Sequence, residues 1–214
     1  MPLEIEMKFP GVDLTQVRDR LAMLGAECGR PYLERNVVFD TPDRRLLKAG
    51  CLLRVRECEG ADWKSGLLTF KRPAPGKSPS GCKRQEETES GLTNPQSVST
   101  ILAMLGYPAA FAYDKTRAVC RLDGVEICLD RLPFGEAGDD LYPVVELEGD
   151  ETAIAAVTRR LDLPQDCASA ANYHELNRQW RAGRGLLPRD GFAFSPADLE
   201  KIRQELGLLP QRMP

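Results

Sequence analysis

Charged and apolar side chains alternate along several short segments of this chain. At the N-terminus, Glu4, Glu6 and Lys8 alternate with apolar residues through the segment Leu3–Phe9. Successive side chains of a β-strand point to opposite faces, so this segment would present its charges on one face and its apolar groups on the other. Carboxylates on such a face can hold a divalent cation, and basic groups can bind phosphate oxygens.

Later segments repeat this arrangement with charges of either sign. The residues that would share a polar face are Arg54 with Arg56, Thr69 with Lys71, Arg84 with Glu86, Lys115 with Arg117, Glu126 with Cys128 and Asp130, and Glu146 with Glu148. One explanation is an antiparallel sheet with one solvated, charged side. The other is a closed barrel whose charged faces line the lumen. Each buried ion costs several kcal/mol to desolvate, so such a lumen would have to hold opposite charges, a metal or a substrate.

Eight segments are predicted as strands, mostly joined by hairpins, with helices inserted between them. The predicted strands are Leu3–Phe9, Asn36–Asp40, Leu52–Glu57, Leu67–Arg72, Lys83–Glu89, Thr116–Leu122, Val125–Asp130 and Val144–Glu148. The predicted helices span residues 14–24, 95–105, 151–161, 171–180 and 196–206. Asp123-Gly124 favours a tight hairpin turn between two of the strands. The fold class is therefore α+β.

The first two predicted helices end in the same five residues. Leu21-Ala22-Met23-Leu24-Gly25 recurs as Leu102-Ala103-Met104-Leu105-Gly106. Two related halves of the chain would explain the repeat, and so would the abundance of leucine and alanine at helix ends.

The composition excludes several classes of protein. The chain has 214 residues, of which 42% are hydrophobic, enough for one sizeable core. Its net charge of −3 argues against a whole-surface attraction to nucleic acid or to an anionic membrane. It has neither a long apolar segment nor the basic-then-apolar pattern of a signal peptide. We therefore expect a cytoplasmic protein without a nucleic-acid or membrane partner.

The cysteines give little support for a zinc site. There are seven, without a Cys-x-x-Cys pair, and His174 is the only histidine. Cys/His zinc sites need closely spaced ligands that are missing here. We expect reduced cysteines, as is usual in the cytoplasm.

The order of the charged segments resembles the CYTH superfamily, the triphosphate tunnel metalloenzymes. The similar segments are Glu4-Ile5-Glu6-Met7-Lys8, Val38-Phe39-Asp40-Thr41-Pro42, Leu53-Arg54-Val55-Arg56, Thr69-Phe70-Lys71, Arg84-Gln85-Glu86, Lys115-Thr116-Arg117, Leu129-Asp130, Val145-Glu146-Leu147-Glu148 and the segment Ser169–Leu176 with Tyr173. The resemblance implies a closed eight-stranded antiparallel β-barrel, a triphosphate tunnel, with helices packed outside and at the C-terminus. Residues 1–180 would form the tunnel domain. Residues 181–214 would be a C-terminal extension, with a helix at 196–206 packed on the same domain.

The resemblance also implies roles for the charged residues. Substrate phosphates would be bound by Lys8, Arg54, Arg56, Lys71, Arg84, Lys115 and Arg117. Mg²⁺ or Mn²⁺ would be held by Glu4, Glu6, Glu86, Asp130, Glu146 and Glu148. Glu4, Glu6, Lys8 and Glu148 would be catalytic, with Lys8 either orienting the carboxylates or touching the phosphate. The seven proposed bases and six proposed acids would give the lumen a charge of +1. Two bound divalent cations would raise this charge to about +5, enough to balance a triphosphate that carries about −4 to −5.

The register of the strand at 83–89 has two solutions. We favour Arg84 and Glu86 in the lumen, because a base two residues before an acid is similar to the family pattern. A shift by one residue would place Glu87 and Glu89 there instead, since it inverts the face of every side chain.

The implied activity is metal-dependent hydrolysis of a triphosphate, inorganic tripolyphosphate to pyrophosphate and phosphate, by a metal-activated water. The alternatives are a class IV-type adenylyl cyclase, a thiamine triphosphatase and a non-catalytic polyphosphate- or nucleotide-binding module. Leu52 stands where animal thiamine triphosphatases of this family tend to have tryptophan, which favours the inorganic substrate. The partner would be a small-molecule triphosphate, and the protein a monomer or a homodimer.

Overall fold

The eight predicted strands all form, and with one short additional strand they build a single antiparallel sheet. The computed structural model describes residues 2–76, 81–135 and 141–208. Its strands are β1 (Leu3–Pro10), β2 (Glu27–Cys28), β3 (Tyr32–Phe39), β4 (Leu52–Glu59), β5 (Lys64–Pro73), β6 (Lys83–Leu92), β7 (Ala109–Leu122), β8 (Val125–Leu132) and β9 (Tyr142–Glu148). Their order is β2-β7-β3-β4-β5-β6-β1-β9-β8, and pairing of β7 with β8 closes the ring. The predicted closed eight-stranded barrel is thus confirmed, with β2 extending the β3 side of β7.

Six α-helices accompany the barrel in the described residues. They are α1 (Leu14–Met23), α2 (Arg45–Lys48), α3 (Pro95–Met104), α4 (Glu151–Arg160), α5 (Tyr173–Ala182) and α6 (Pro196–Glu205). The short helix α2 and a 3₁₀ turn at Gln165–Cys167 were not predicted. Capping side chains fix the starts of the long helices. The side chain of Asp13, for example, accepts a hydrogen bond from the backbone amide of Thr15 at the start of α1. At the start of α5, Asn172 and Glu175 form a reciprocal capping box.

The strand register turns the charged faces inward and the apolar faces outward. Glu6 is paired with Glu148, and Lys8 with Glu146, across β1 and β9. The opposite faces of these strands pack against the apolar sides of helices α1 and α4, in a core that includes Phe9. The alternation along β1 therefore predicted its two faces correctly.

The favoured register of β6 is wrong by one residue. Gln85 pairs with Glu4, and Lys83 with Glu6, so that the lumen receives Lys83, Gln85, Glu87 and Glu89. Glu86 faces outward and bonds Arg72 at 2.6 Å. Although Arg84 borders the cavity, its guanidinium reaches Glu151 of α4 at 3.7 Å. The segment 83–89 is polar on both faces, so no apolar side chain reveals its register.

The chain after α5 packs against the barrel. Phe192 bridges to Tyr113 beside the first half of β7, and its backbone exchanges hydrogen bonds with Ala112 and Asp114. Helix α6 covers β3 through a cluster of Leu33, Phe194, Ile202 and Leu208. This segment thus flanks a stretch of β7 that lies beyond its pairing with β8.

Two cysteines depart from the expectation of reduced thiols. Cys28 and Cys120 are joined by a disulfide across β2 and β7, whereas the other five form no disulfide. The two residues are far apart in sequence and become direct neighbours only through strand pairing.

None of the helices in the described part of the chain has both the length and the hydropathy needed to cross a lipid bilayer.

Candidate active site

The barrel encloses an ionic cavity of about 540 Å³. Its inward-facing bases are Lys8, Arg54, Arg56, Lys71, Lys83, Lys115 and Arg117. Its inward-facing acids are Glu4, Glu6, Glu34, Glu87, Glu89, Glu126, Asp130, Glu146 and Glu148. With every group ionised, these seven bases and nine acids leave a formal charge of −2. The lumen is therefore more acidic than the sequence indicated.

Three carboxylates converge on the β1 and β9 side of this cavity. Oxygens of Glu4, Glu6 and Glu148 all lie within 4.8 Å of one another. Burial, followed by the negative charges of Glu146 and Glu4, raises the pKa of Glu148 to about 8. Such crowding of acids is the electrostatic situation that a bound cation relieves.

Two lysines form ion pairs with carboxylates of this acidic cluster. Lys71 contacts Glu4 at 2.5 Å, and Lys8 contacts both Glu6 and Glu146 at 2.5 Å. Burial acts to lower the pKa of Lys8, but the charges of Glu146 and Glu6 outweigh it and raise that pKa above its ordinary value. The two carboxylates therefore favour the charged form of Lys8.

Arg117 is the centre of a second ion cluster. It makes a bidentate pair with Asp130, with distances of 2.8 and 2.7 Å, and also bonds Glu146. The hydroxyl of Tyr173, at the start of α5, donates to Glu146 at 2.8 Å and bonds Asp130. The ring of Tyr173 also lies under Lys115, 4.6 Å from its ammonium group. Helix α5 thus contributes directly to the lumen.

Glu34 on β3 was missed by the sequence reading. It is fully buried, with Arg56 at 3.4 Å, Lys115 at 3.3 Å and Arg117 at 3.8 Å. Burial acts to raise the pKa of Glu34, but the three cations outweigh it and hold that pKa below its ordinary range. The predicted strand began at Asn36, and extending its alternation backwards by two residues would have found Glu34.

Arg54 on β4 lies across the ring from the acidic group, because β4 and β9 are four strands apart in either direction. Its guanidinium bonds the Tyr113 hydroxyl at 3.1 Å and the Thr69 hydroxyl at 3.2 Å, with Glu89 at 3.8 Å. Burial acts to raise the pKa of Tyr113, but Arg54 and Arg56 outweigh it and lower that pKa. The β4 side of the lumen is therefore electropositive.

One end of the cavity is less polar. Val38, Leu52 and Phe111 line it, and the His174 ring stacks on Phe111 with centroids 4.8 Å apart. His174 also bonds the Asp190 carbonyl through Nδ1, at 3.0 Å. These contacts agree with a packing role for the only histidine.

The cluster of three carboxylates formed by Glu4, Glu6 and Glu148 suits a divalent cation such as Mg²⁺ or Mn²⁺. Glu4, Glu6 and Glu148 offer only hard oxygen ligands, which these ions prefer. Of the other predicted ligands, Glu146 lies near Glu148 and Cys128, Asp130 is engaged by Arg117, and Glu86 is outside the barrel. The assignment of individual ligands stays a prediction.

Comparison with known proteins identifies the fold. A family model described as the CYTH domain matches residues 2–164. The PH1012 protein of Pyrococcus horikoshii OT3 has a TM-score of 0.66 and 22% identity, covering 81% of this chain and 98% of its own. The PH1819 protein of the same organism gives 0.67 and 20%, covering 83% and 99%. HpAC1 from Hippeastrum, described as having a dominant triphosphatase activity, gives 0.58 and 19%, covering 87% and 97%. No curated protein matches the chain in sequence.

Proposed function

This chain belongs to the CYTH family, and from that premise we propose that it hydrolyses a phosphoanhydride bond of a triphosphate. The substrate we propose is inorganic tripolyphosphate, converted to pyrophosphate and phosphate with the help of Mg²⁺ or Mn²⁺. The observation that carries this proposal is the enclosure of opposed charges in one lumen. The carboxylates of Glu6 and Glu148 lie on one side, and the guanidinium groups of Arg54 and Arg56 on the other.

The charge of the lumen supports dependence on a cation. A triphosphate carries about −4 to −5 near neutral pH. A cavity with a formal charge of −2 would repel it, whereas two bound divalent cations would bring the cavity to about +2. The acidic and the basic sides of the barrel are then both needed, one for cations and one for phosphate oxygens.

The bases have the chemistry to hold a polyphosphate. Arg54, Arg56 and Arg117 present planar guanidinium groups, which bind phosphate oxygens through paired hydrogen bonds. Lys8 and Lys71 add point charges beside the acidic group. Held in this cavity, these groups orient the chain of phosphates and stabilise negative charge on the oxygens of the phosphoryl group that is transferred.

The acids would hold the cation. Glu4, Glu6 and Glu148 would bind it through their carboxylate oxygens, with Glu146 beside them. When bound there, a divalent cation supplies a water of lowered pKa and offsets phosphate charge. A cation on Glu4 and Glu6 would compete with Lys71 and Lys8 for these carboxylates, and both lysines would stay in the same cavity within reach of phosphate, Lys8 still beside Glu146.

We also propose a cytoplasmic location, since five of the seven cysteines form no disulfide. The Cys28–Cys120 disulfide is the feature that would have to be reduced in that compartment. Alkylation of thiols in freshly lysed cells, followed by mass spectrometry, measures its state there.

A substrate panel tests the function. The purified protein is incubated with tripolyphosphate, ATP or thiamine triphosphate, each with Mg²⁺, Mn²⁺ or EDTA, and phosphate, pyrophosphate and cyclic AMP are measured. We expect phosphate release from tripolyphosphate that stops with EDTA. Cyclic AMP with pyrophosphate from ATP would instead indicate a cyclase, and faster cleavage of thiamine triphosphate a thiamine triphosphatase. Tight binding without turnover would indicate a binding module.

A matched pair of arginines controls for nonspecific effects. Arg54→Ala removes a guanidinium from the lumen, whereas Arg84→Ala removes one that pairs with Glu151 of α4. We expect the first change to raise KM for tripolyphosphate by at least about tenfold and the second to leave it unchanged. Equal effects of the two changes would contradict the proposed phosphate side.

A further inference from the structure

Gln85 on β6 carries a buried amide whose oxygen has no hydrogen-bond partner. Its side chain lines the lumen between those of Lys83 and Glu87, and the residue is only 7% exposed. The carbonyl oxygen Oε1 is enclosed and accepts no hydrogen bond within the described residues. Buried polar atoms are normally bonded, because an unbonded one has lost its contacts with water and gained nothing in their place. This oxygen therefore lacks a positively charged or donating group.

The neighbours of Gln85 in the sheet cannot supply that group. Across β1 it is paired with Glu4, whose ionised carboxylate only accepts hydrogen bonds. Across β5 it is paired with Pro73, which has neither a polar side chain nor a backbone N–H. The nearby lysines are engaged with acids, since Lys71 contacts Glu4 at 2.5 Å and Lys83 contacts a second carboxylate of β1 at 3.0 Å.

Gln85 lies beside the cluster of three carboxylates. Side chains directly opposed on one face of an antiparallel pair have Cβ atoms about 4.5–5.5 Å apart, so Gln85 and Glu4 can reach a common ion. Oxygens of Glu4, Glu6 and Glu148 in turn lie within 4.8 Å of one another. A half-turn of the unbonded amide exchanges its oxygen with its nitrogen. The oxygen can thus be presented to the side of the cavity where the acids converge.

A cation would satisfy this oxygen, whereas the substrate would not. Ionised phosphate oxygens are themselves acceptors, but hard divalent cations bind carbonyl oxygens as well as carboxylates. A neutral ligand also adds a coordinating oxygen without adding to the repulsion among the acids. We infer that Gln85 binds, through its carbonyl oxygen, the divalent cation held by Glu4, Glu6 and Glu148. This inference rests on the proposed function for the presence of the cation and adds a fourth, uncharged ligand to it.

Binding of Mn²⁺ to the full chain, without any triphosphate, tests this inference. Electron paramagnetic resonance measures the free Mn²⁺, and relaxation of water protons counts the water ligands of the bound ion. Gln85→Leu removes the carbonyl oxygen and keeps a side chain of similar size. We expect the affinity for Mn²⁺ to fall by at least about tenfold, as when groups around a metal are removed. The bound ion should gain about one water, because water fills the vacated position.

Glu86→Gln is the matched control on the same strand. Glu86 follows Gln85 directly but bonds Arg72 outside the barrel, so this variant should keep the affinity and the water count of the wild type. Gln85→Glu is the second test variant, since it keeps an oxygen at this position and adds a charge. It should bind Mn²⁺ more tightly than the wild type, whereas a purely structural amide would make both Gln85 variants weaker. Thermal melts establish which variants are folded, and Gln85→Glu alone decides if Gln85→Leu is not.

Four results would overturn the inference. They are a wild-type protein that binds no Mn²⁺, an unchanged affinity and water count in Gln85→Leu, weaker binding in Gln85→Glu, and a loss of metal-free tripolyphosphate binding in Gln85→Leu with Mn²⁺ binding intact. The last would assign the amide of Gln85 to phosphate. None of these measurements depends on turnover. A wild-type protein that binds Mn²⁺ through Gln85 but cleaves no triphosphate would contradict the proposed function and leave this inference standing.

Discussion

Glu6 on β1 and Glu148 on β9 are directly opposed in the pairing of the two strands, and their carboxylates share a side of the lumen with Glu4. Like charges opposed in this way destabilise each other unless a proton or a cation separates them. Glu148 responds with a pKa of about 8.

This pKa predicts that cation binding releases a proton. At pH 7 Glu148 is mostly protonated, and a divalent cation at the same carboxylates favours its ionised form. We expect about one proton released per cation at pH 7 and none well above pH 8, measured by calorimetry in buffers of different ionisation enthalpy. Glu148→Gln should abolish the release, and an unchanged release in that variant would contradict the assignment.

The N-terminal carboxylates are predicted to be required for turnover. Glu6→Gln and Glu4→Gln each remove a charged oxygen from the proposed cation site while keeping the size of the side chain. We expect at least about a 100-fold loss of metal-dependent phosphate release, by analogy with losses seen when metal sites are perturbed. Circular dichroism should show that folding survives. Normal activity in both variants would remove β1 from the mechanism.

Neighbouring glutamates on β6 offer a test of its register. Glu87 faces the lumen, 3.2 Å from Lys71, whereas Glu86 bonds Arg72 outside. Glu87→Gln should lower the KM for tripolyphosphate by severalfold, because it removes a negative charge from the lumen and leaves Lys71 with Glu4 as its carboxylate partner. Glu86→Gln should leave KM and kcat unchanged. The reverse result would restore the register favoured from the sequence.

Glu34 is predicted to hold the barrel together in the absence of substrate. Glu34→Gln leaves Arg56, Lys115 and Arg117 without their shared buried partner, and breaking such a set costs about 3–5 kcal/mol. Urea unfolding should show this loss. Added tripolyphosphate should restore more stability to the variant than to the wild type, since it supplies the missing negative charge. Equal stabilisation of both proteins would argue against phosphate binding at these bases.

The raised pKa of Asp114, a residue outside the lumen, predicts that the free energy of unfolding depends on pH. It is buried against the C-terminal segment, where burial raises its pKa to about 6. Because the folded pKa lies above the ordinary value, folding loses stability as pH rises from about 4 through 6. Asp114→Asn should keep the acceptor for the Phe194 amide and raise the free energy of unfolding at pH 8 by up to about 3 kcal/mol. At pH 4 urea unfolding should show little difference, and a gain of equal size at both pH values would contradict this explanation.

The barrel and most of its lumen could be predicted because apolar residues mark the outer face. In β1 each charge stands between two hydrophobic neighbours, and so do Arg54 of β4 and Glu146 of β9, so the two faces of these strands are unambiguous. The hairpin at Asp123-Gly124 was equally clear, and both residues have the positive φ of a tight turn.

Other features of the structure have no apolar pattern in the sequence that would predict them. Strand β6 carries polar side chains on both faces, and only its pairing with β1 and β5 sets the register. Glu34 precedes the apolar part of β3, and a four-residue helix such as α2 has too few residues for any periodicity. The Cys28–Cys120 pair depends on long-range strand alignment, which spacing alone does not encode.

The position of β1 between β6 and β9 has a consequence for how the protein is made. The first strand of the barrel pairs with its second neighbour only when Glu148 has been synthesised. Closure of the ring is thus a late event that joins distant parts of the chain, and such pairings are slow to form. Until then the nascent chain exposes an unpaired strand edge, so this protein should depend on chaperones during translation more than a helical domain of equal length.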